Sequence, residues 1–458
     1  MGRSNEMLSE GEPDRIRREI EDGRMRALQV AIVGAAVLTN LLDGFDILSM
    51  SFVAPTLSRV WSLGPERLGF LLSSGLTGMV IGAIGLSWIV DVIGRRSAVI
   101  LCLTLMAGGM FAASLAGSGG VLALCRVVTG LGVGGMNAAS GSLVIEYSTT
   151  KRREAAVGAV VLGYPLGTLL GGLMSVWLLG HFGWRSVFVL GGLASTALVP
   201  VFALFVPESI QFLILRRPKG ALMTINRTLA RLQMAPLAAL PPQVQSGSRL
   251  GVIDVFRPPQ LKWTVPCSIA YFLFMMSQYF ILSWAPKLMA QAGASDAGAI
   301  SISLLINAGG ICGGALVGLI TARFGRRNTS VLMPILMSLF ITGFGIIVPS
   351  AATGVLLFVG LGFSLFAATT CLFSVVAGGF PATVRGMGIG VATSAGRLGS
   401  VTGVYLAGVL LAFGFNRMAL CATLSLPVLV TALLLSRLVP RGRHLHAVEV
   451  RDTPRTAA

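Results

Sequence analysis

The feature that most constrains this chain is a series of twelve apolar stretches, each about 20 residues long. A helix of that length crosses the hydrocarbon core of a bilayer, where the backbone must bond to itself because no water is present. We therefore predict an all-α membrane protein with twelve transmembrane helices. The stretches cover residues 28–52, 67–90, 97–116, 120–144, 155–178, 186–206, 263–285, 297–321, 328–348, 352–376, 386–411 and 418–437.

Composition supports lipid as the main solvent. Only 12% of the residues are charged, against about 25% in soluble proteins, so a water-exposed surface could not be covered. An ordinary soluble enzyme is excluded. The first stretch is too long, and its flank too charged, for a cleavable signal peptide, so we expect it to stay in the mature chain.

The basic residues are distributed asymmetrically along the chain. Of 35 Lys and Arg residues, 28 lie in the tails and in alternate connections, five lie in the opposite connections, and two lie within stretches. Basic residues collect in cytoplasmic segments. This predicts that both termini are cytoplasmic, in a bacterial inner membrane, and it explains the net charge of +17 without nucleic acid as a partner.

Two short motifs repeat across the chain. Gly94-Arg95-Arg96 recurs as Gly325-Arg326-Arg327 at an offset of 231, and Arg153 recurs as Arg385 at 232. Two six-helix halves with pseudo-symmetry would place a substrate site between them, near the middle of the membrane. The predicted organisation is an N-tail (1–27), a first half (28–206), a central cytoplasmic loop (207–262), a second half (263–437) and a C-tail (438–458).

Carboxylates at membrane depth are candidates for proton coupling, because such groups are expensive in lipid and usually face a cavity. Asp43 and Asp46 lie three residues apart on one helix face, an arrangement in which a carboxylate can take up and release a proton. Glu146 closes the fourth stretch. A cap or an arginine partner remains an alternative for Asp46, and a structural salt bridge remains one for Glu146.

Arginine within a membrane stretch must meet an anion, because its side chain does not lose its proton. Arg126 lies in the fourth stretch and faces either a membrane carboxylate or the substrate. Arg397 is the one charged residue of the second half that lies away from the ends of the stretches, so it is the candidate for binding a substrate carboxylate through two parallel bonds.

Three further residues are candidate substrate contacts. Gln278, Tyr279 and Asn307 are polar or aromatic side chains within stretches of the second half. The three histidines lie outside the stretches, the six cysteines have no metal-type spacing, and no phosphate-binding P-loop occurs. We therefore expect no cofactor, no metal and no ATP-driven transport.

Several motifs together resemble the major facilitator superfamily, and within it the aromatic acid:proton symporter family. The repeated loops at 87–96 and 318–327 are similar to that superfamily's loop signature. Asp43-Gly44-Phe45-Asp46, Arg126 to Gly135, and Gly396-Arg397-Leu398-Gly399 are similar to family signatures, as are the short motifs at 146–147, 183–185, 207–209, 283–286 and 381–386. The chain departs at Ala138, where the family often has proline, and at 377–379, where it often has an acid.

The resemblance implies the major facilitator fold and inward transport of a benzoate-like carboxylate with protons. It also implies a charge-relay role in gating for the repeated loops, through Asp91, Arg95, Arg96, Arg326 and Arg327. The expected partners are the organic anion, protons and membrane lipids, and we expect a monomer. Two alternatives stay open: an exporter of drugs or metabolites with the same fold, and a non-transporting membrane sensor.

Overall fold

The computed structural model describes residues 18–240, 252–346, 351–381 and 383–439. Most of both tails and the middle of the central loop therefore lie outside the described residues. Within them, twelve helices are long and apolar enough to cross a membrane, which confirms the prediction. We number these α1 to α12: Ala27–Val60, Pro65–Ile93, Arg95–Ser114, Gly119–Tyr147, Arg153–Phe182, Arg185–Leu204, Leu261–Gln291, Asp296–Phe324, Arg326–Ile346, Ala351–Gly379, Arg385–Ala412 and Arg417–Leu438.

Helices α1 and α7 extend further than their apolar stretches predict. The first continues to Val60 rather than residue 52, and the other continues to Gln291 rather than 285. Each passes through a proline, Pro55 or Pro286, near its end. A proline inside a helix removes one backbone hydrogen bond but does not always end the helix.

Tight turns join the second helix of each half to the third. Gly94 between α2 and α3 has φ +97°, and Gly325 between α8 and α9 has φ +83°. This left-handed region strains any residue with a Cβ, so glycine is required in both copies of the G-R-R motif. We call the end of the bundle that holds these turns the G-R-R end, and the end that holds residues 61–64 and 292–295 the opposite end.

The two halves repeat one packing arrangement. In the first half α1 packs on α5, α2 on α4, and α3 on α6; in the second, α7 packs on α11, α8 on α10, and α9 on α12. The halves contact each other through α2 with α11, α5 with α8, and α1 with α7. These pairings are the pseudo-symmetric six-helix halves that the sequence repeat predicts.

Glycines at repeated positions bring the helix backbones together. Gly167 of α5 lies against the Leu41 carbonyl of α1, and Gly399 of α11 lies against the Phe272 carbonyl of α7. A Cβ at Gly167 or Gly399 would overlap that carbonyl oxygen. Small residues are used in this way where transmembrane helices pack closely. Two further pairs follow the same repeat between α2 and α4 and between α8 and α10: Gly78 with Gly309, and Gly82 with Gly313.

The halves are joined at the opposite end. One apolar cluster includes Leu48, Leu57 and Trp184 of the first half together with Ile281 and Trp284 of the second. A separate cluster at the G-R-R end of the first half contains residues of that half and of the central loop. The apolar core thus links the halves at the opposite end.

The central loop contains two short helices, Ile210–Arg216 and Ala221–Arg231, and a 3-10 turn, Val252–Phe256. The second helix is amphipathic and buries Ile225 and Leu229 in the first-half cluster. Arg231 Nη2 donates a hydrogen bond to the Phe205 carbonyl at 2.9 Å. This part of the loop therefore belongs structurally to the first half.

Enlarging Gly167 should destabilise the protein by forcing α1 and α5 apart. We expect Gly167→Val to lower the free energy of unfolding by about 1–3 kcal/mol, measured as a lower thermal unfolding midpoint in detergent. Gly158→Val, on the same helix but facing open space, is the matched control. Equal midpoints for the two variants would contradict the packing role of Gly167.

Candidate functional site

Asp46 and Arg126 form an ion pair between α1 and α4. Arg126 Nη1 lies 2.7 Å from Asp46 Oδ1, and Nη2 lies 3.3 Å from Oδ2 and 2.9 Å from the Asp46 carbonyl oxygen. Both side chains are 3% exposed. Of the two anions that the sequence allowed for Arg126, the structure therefore provides the membrane carboxylate. Asp46 is correspondingly an arginine partner.

Asp43 lies one turn earlier on α1 and is differently placed. Its side chain is buried, and neither carboxylate oxygen has a hydrogen-bond partner among the described residues. The charged groups that interact with it electrostatically are Asp46 on its own helix and Arg397 on α11 of the other half. A buried carboxylate without a hydrogen-bond donor is costly unless it binds a proton or a ligand satisfies it.

Arg397 faces Asp43 from the second half. Its side chain is half-buried, and in the described part of the chain its guanidinium forms neither a hydrogen bond nor an ion pair at bonding distance. Asp43 and Tyr279 of α7 are the groups that act on it electrostatically. The structure thus brings together three residues that the sequence selected separately: Asp43, Tyr279 and Arg397.

Two further residues join this group and were not selected from the sequence. Asn137 of α4 faces the Asp43 carboxylate. Tyr164 of α5 approaches Tyr279 from the other half, although its buried hydroxyl has no hydrogen-bond partner in the described ranges. The five side chains Asp43, Asn137, Tyr164, Tyr279 and Arg397 are here called the central cluster. Asn137 could have been found by its position on α4, eleven residues after Arg126 and therefore on nearly the same face.

Gln278 and Asn307, the other two polar candidates, are both buried. Gln278 Oε1 accepts a hydrogen bond from Thr369 Oγ1 at 3.5 Å, which links α7 to α10. Asn307 Nδ2 donates to the Ser303 carbonyl at 2.8 Å, whereas its Oδ1 lacks a partner among the described residues. Within the described part of the chain, neither forms a hydrogen bond with the central cluster.

Glu146 lies at the G-R-R end and not in the central cluster. Its carboxylate accepts hydrogen bonds from Ser209 Oγ at 2.5 Å and from the Gln211 backbone N–H at 2.9 Å. It therefore caps the helix Ile210–Arg216, where a negative charge is favourable at the N-terminus. Among the described residues, Glu146 therefore acts as a helix cap and forms neither a salt bridge nor a hydrogen bond to the central cluster.

Glu208 fastens the first G-R-R loop. Its carboxylate accepts hydrogen bonds from the backbone N–H groups of Arg96 at 3.1 Å and Ser97 at 3.5 Å, at the start of α3. The Arg96 guanidinium bonds the Phe202 and Ala203 carbonyls at the end of α6. Glu208 lies within the short motif at 207–209, but no local pattern predicts its role, because the cap joins groups 112 residues apart.

The other charged residues of the two G-R-R loops contact different groups. Arg95 Nη2 lies 3.7 Å from Asp91 Oδ1, and the Asp91 side chain is 68% exposed. In the second G-R-R loop, Arg326 Nη2 donates to the Ser374 carbonyl at 2.6 Å, and Arg327 donates to the Ser436 carbonyl through Nε and Nη2. No acid takes the place of Glu208 there among the described residues. The two loops are therefore fastened differently.

Chemically, the central cluster combines an anion-binding group with a proton-binding group. Arg397 offers a guanidinium that can bind a carboxylate through two parallel hydrogen bonds. Asp43 offers a carboxylate that can bind a proton, and the two tyrosines offer aromatic faces and hydroxyl groups. Because α1, α4 and α5 belong to one half and α7 and α11 to the other, relative movement of the halves changes this arrangement.

Breaking the Asp46–Arg126 pair from one side should destabilise the fold. We expect Arg126→Leu to lower the free energy of unfolding by about 3–5 kcal/mol, since Asp46 would keep a buried unpaired charge. The double variant Asp46→Leu with Arg126→Leu should recover a large part of that loss. Thermal unfolding in detergent measures both, with exposed Arg67→Leu as the control. Equal losses of unfolding free energy in the single and double variants would argue against a stabilising Asp46–Arg126 ion pair.

The chain is similar in sequence to a known family and to several of its members. The sequence profile described as Major Facilitator Superfamily matches residues 36–404. A gallate transporter of Pseudomonas putida is 28% identical, covering 90% of this chain and 92% of its own. The 4-hydroxybenzoate transporter PcaK of Pseudomonas aeruginosa is 30% identical over 89% and 92%, and a benzoate transport protein of Acinetobacter baylyi is 24% identical over 90% of each.

Solved structures share the same fold. An inward open xylose transporter XylE from E. coli superposes with a TM-score of 0.69 at 17% identity, covering 91% of this chain and 97% of that one. A D-xylose-proton symporter gives 0.68 at 19%, covering 90% and 98%. The twelve helices, the two similar halves and the profile match agree, and they confirm the resemblance drawn from the motifs. The chain belongs to the major facilitator superfamily: it is a multi-pass membrane transport protein and not an enzyme.

Proposed function

We propose that this transporter carries a small aromatic carboxylate together with protons into the cell, across a bacterial inner membrane with both termini in the cytoplasm. The observation that carries the proposal is Arg397, an interior arginine without a bonded carboxylate among the described residues, opposite Asp43 on the other half. A guanidinium at that depth is expensive unless an anion completes it.

The substrate class follows from the site and from the relatives. Gallate, 4-hydroxybenzoate and benzoate, named for three similar transporters, each carry a carboxylate on an aromatic ring. In our proposal the carboxylate binds Arg397, and the ring lies between Tyr164 and Tyr279. Flat aromatic side chains favour stacked or edge-on contact with such a ring.

Proton coupling follows from the charge balance of the cluster. With Asp43 ionised, its charge offsets that of Arg397, and an arriving anion is repelled. With Asp43 protonated, the Arg397 charge is left for the substrate, so proton and anion are bound together. Closing the cavity around a neutralised set of groups avoids the cost of burying an unpaired charge.

The other candidate residues take supporting roles in this proposal. Asp46 and Arg126 were candidates for proton coupling and substrate binding, but their mutual ion pair leaves little capacity for either. They hold α1 against α4 and so position Asp43. Glu146 and Glu208 fasten the helix ends of the first half, and Asp91 remains the exposed acid that can contact the second half when the G-R-R end closes.

The orientation of the protein in the membrane determines whether the observed state faces inward or outward. If the G-R-R end is cytoplasmic, the halves are joined on the outer side and the protein faces inward. The same fold in the opposite mode of use would be an exporter. Vesicles of known orientation separate import from export, because only an importer accumulates label when the proton gradient is directed inward.

Replacing Asp43 should uncouple transport from protons. We expect Asp43→Asn to abolish accumulation of radiolabelled 4-hydroxybenzoate in proteoliposomes under an imposed pH gradient. Counterflow exchange without a gradient should continue, because the neutral amide mimics the protonated acid. Glu154→Gln, an exposed acid at the start of α5, is the control. Gradient-driven accumulation by Asp43→Asn would refute the proton role.

Replacing Arg397 should weaken anion binding more than it weakens the fold. We expect Arg397→Lys, which keeps the charge but loses the planar fork, to raise the Kd for 4-hydroxybenzoate by at least about tenfold, which corresponds to about 1.4 kcal/mol. Ligand-induced thermal shifts of purified protein measure this, with the exposed Arg437→Lys as the matched control. Unchanged affinity would move the carboxylate site elsewhere.

A further inference from the structure

The proline-containing segments of α1 and α7 are a third pair of segments related by the sequence repeat. Ala54-Pro55 in α1 and Ala285-Pro286 in α7 are separated by 231 positions, the offset of the two G-R-R loops. Both prolines lie inside continuous helices. Ser51 and Leu282, four residues before each proline, therefore occupy equivalent positions in the two halves.

Each proline leaves one backbone carbonyl without its helical partner. The carbonyl of residue i normally accepts a hydrogen bond from the N–H of residue i+4, and proline has no N–H. In α7, the carbonyl of Leu282 has no N–H donor at position 286, because that residue is Pro286. A carbonyl left unpaired inside a buried interface is unfavourable, so another donor is needed.

That donor comes from the other half. Ser51 Oγ donates to the Leu282 carbonyl at 3.0 Å and to the neighbouring Ser283 carbonyl at 2.7 Å. Ser51 is 1% exposed. Because Ser51 and Leu282 are equivalent by the repeat, this contact lies where the pseudo-twofold axis between the halves passes.

The contact lies at the joined end of the bundle. Lys287 Nζ donates to Ser58 Oγ at 2.8 Å, farther along the same two helices. Leu57 and Leu288, next to those residues, are buried in the apolar cluster that links the halves. Opening this end requires the Ser51 bonds to break, after which water can satisfy both the hydroxyl and the carbonyls.

We infer that Ser51 is a positioning residue that holds the opposite end closed, its hydroxyl proton shared between the Ser283 carbonyl and the Leu282 carbonyl that Pro286 frees. The inference rests on the proposed transport function, in which the two ends of the bundle open in turn by alternating access, and it adds a residue to that cycle. Closing the end buries the carbonyl and so requires the hydroxyl, whereas opening the end hydrates both groups. The bond is therefore made in one state of the transporter and absent in the other.

The test measures how often the closed end opens. Leu57→Cys, a buried position at this interface, is introduced into the full-length protein, which is purified in detergent and reacted with a maleimide. Losing a hydrogen bond of typical strength in the closed state should raise the labelling rate of Leu57→Cys about fivefold when Ser51→Ala is added. The same variants without Leu57→Cys give the labelling of the native cysteines.

The matched control is Ser49→Ala, because Ser49 is equally buried but donates to Asp46 O of its own helix at 2.7 Å. That change should leave the rate within about twofold of the parent. A rate for Ser51→Ala equal to that for Ser49→Ala overturns the inference. Since no substrate is used, this outcome is independent of whether the aromatic acid proposal holds.

A second variant tests the acceptor and keeps the inference falsifiable if Ser51→Ala does not fold. Pro286→Ala restores an N–H that can bond the Leu282 carbonyl within α7, so the Ser51 bond should weaken and labelling should rise. Pro266→Ala, near the start of the same helix, is the control. Equal rates for these two proline variants also contradict the inference.

Discussion

A charge inside hydrocarbon must either meet an opposite charge at bonding distance or face a site where a ligand or water completes it. The membrane charges of this protein divide along that line. Asp46 and Arg126 satisfy each other within one half and hold two of its helices together. Asp43 and Arg397 face each other from different halves without a bond. The first pair is part of the fold, and the second is the pair that we propose for binding the proton and the substrate.

The two halves have the same packing but different fastenings. Glycines at equivalent positions allow equivalent helix contacts, and glycines with positive φ make equivalent turns. At the G-R-R end, however, Glu208 and Glu146 cap helices of the first half and of the central loop, whereas the bonds of Arg326 and Arg327 within the described ranges are to carbonyl oxygens. The short helices of the central loop add to the first half alone. The first half is accordingly the more tightly bound body at that end.

Much of the fold was predictable from the sequence because it depends on local patterns. Helix number follows from apolar length, and the repeat from two short motifs. Helix ends were less accurate, because α1 and α7 continue through Pro55 and Pro286. The residues of the site were predictable, but their pairing was not. The free-energy cost of burying a charge singles out Asp43, Asp46, Arg126 and Arg397 equally. Which acid meets which arginine depends on helix rotation, which one sequence does not specify. Tyr164 was missed for the same reason, and Glu208 was missed because its cap joins groups 112 residues apart.

The repeat of packing without a repeat of charge has a consequence for how such a protein can be assembled. Position 274, equivalent to Asp43 at the offset of 231, is Phe274, and position 165, equivalent to Arg397 at the offset of 232 that relates α5 to α11, is Pro165. Two identical first halves associating as a homodimer would set each Asp43 against Pro165, and two identical second halves would set each Arg397 against Phe274. The fused, diverged polypeptide sets the acid against the guanidinium. Expressing either half alone should therefore yield a scaffold without the electrical complementarity that the joined chain possesses.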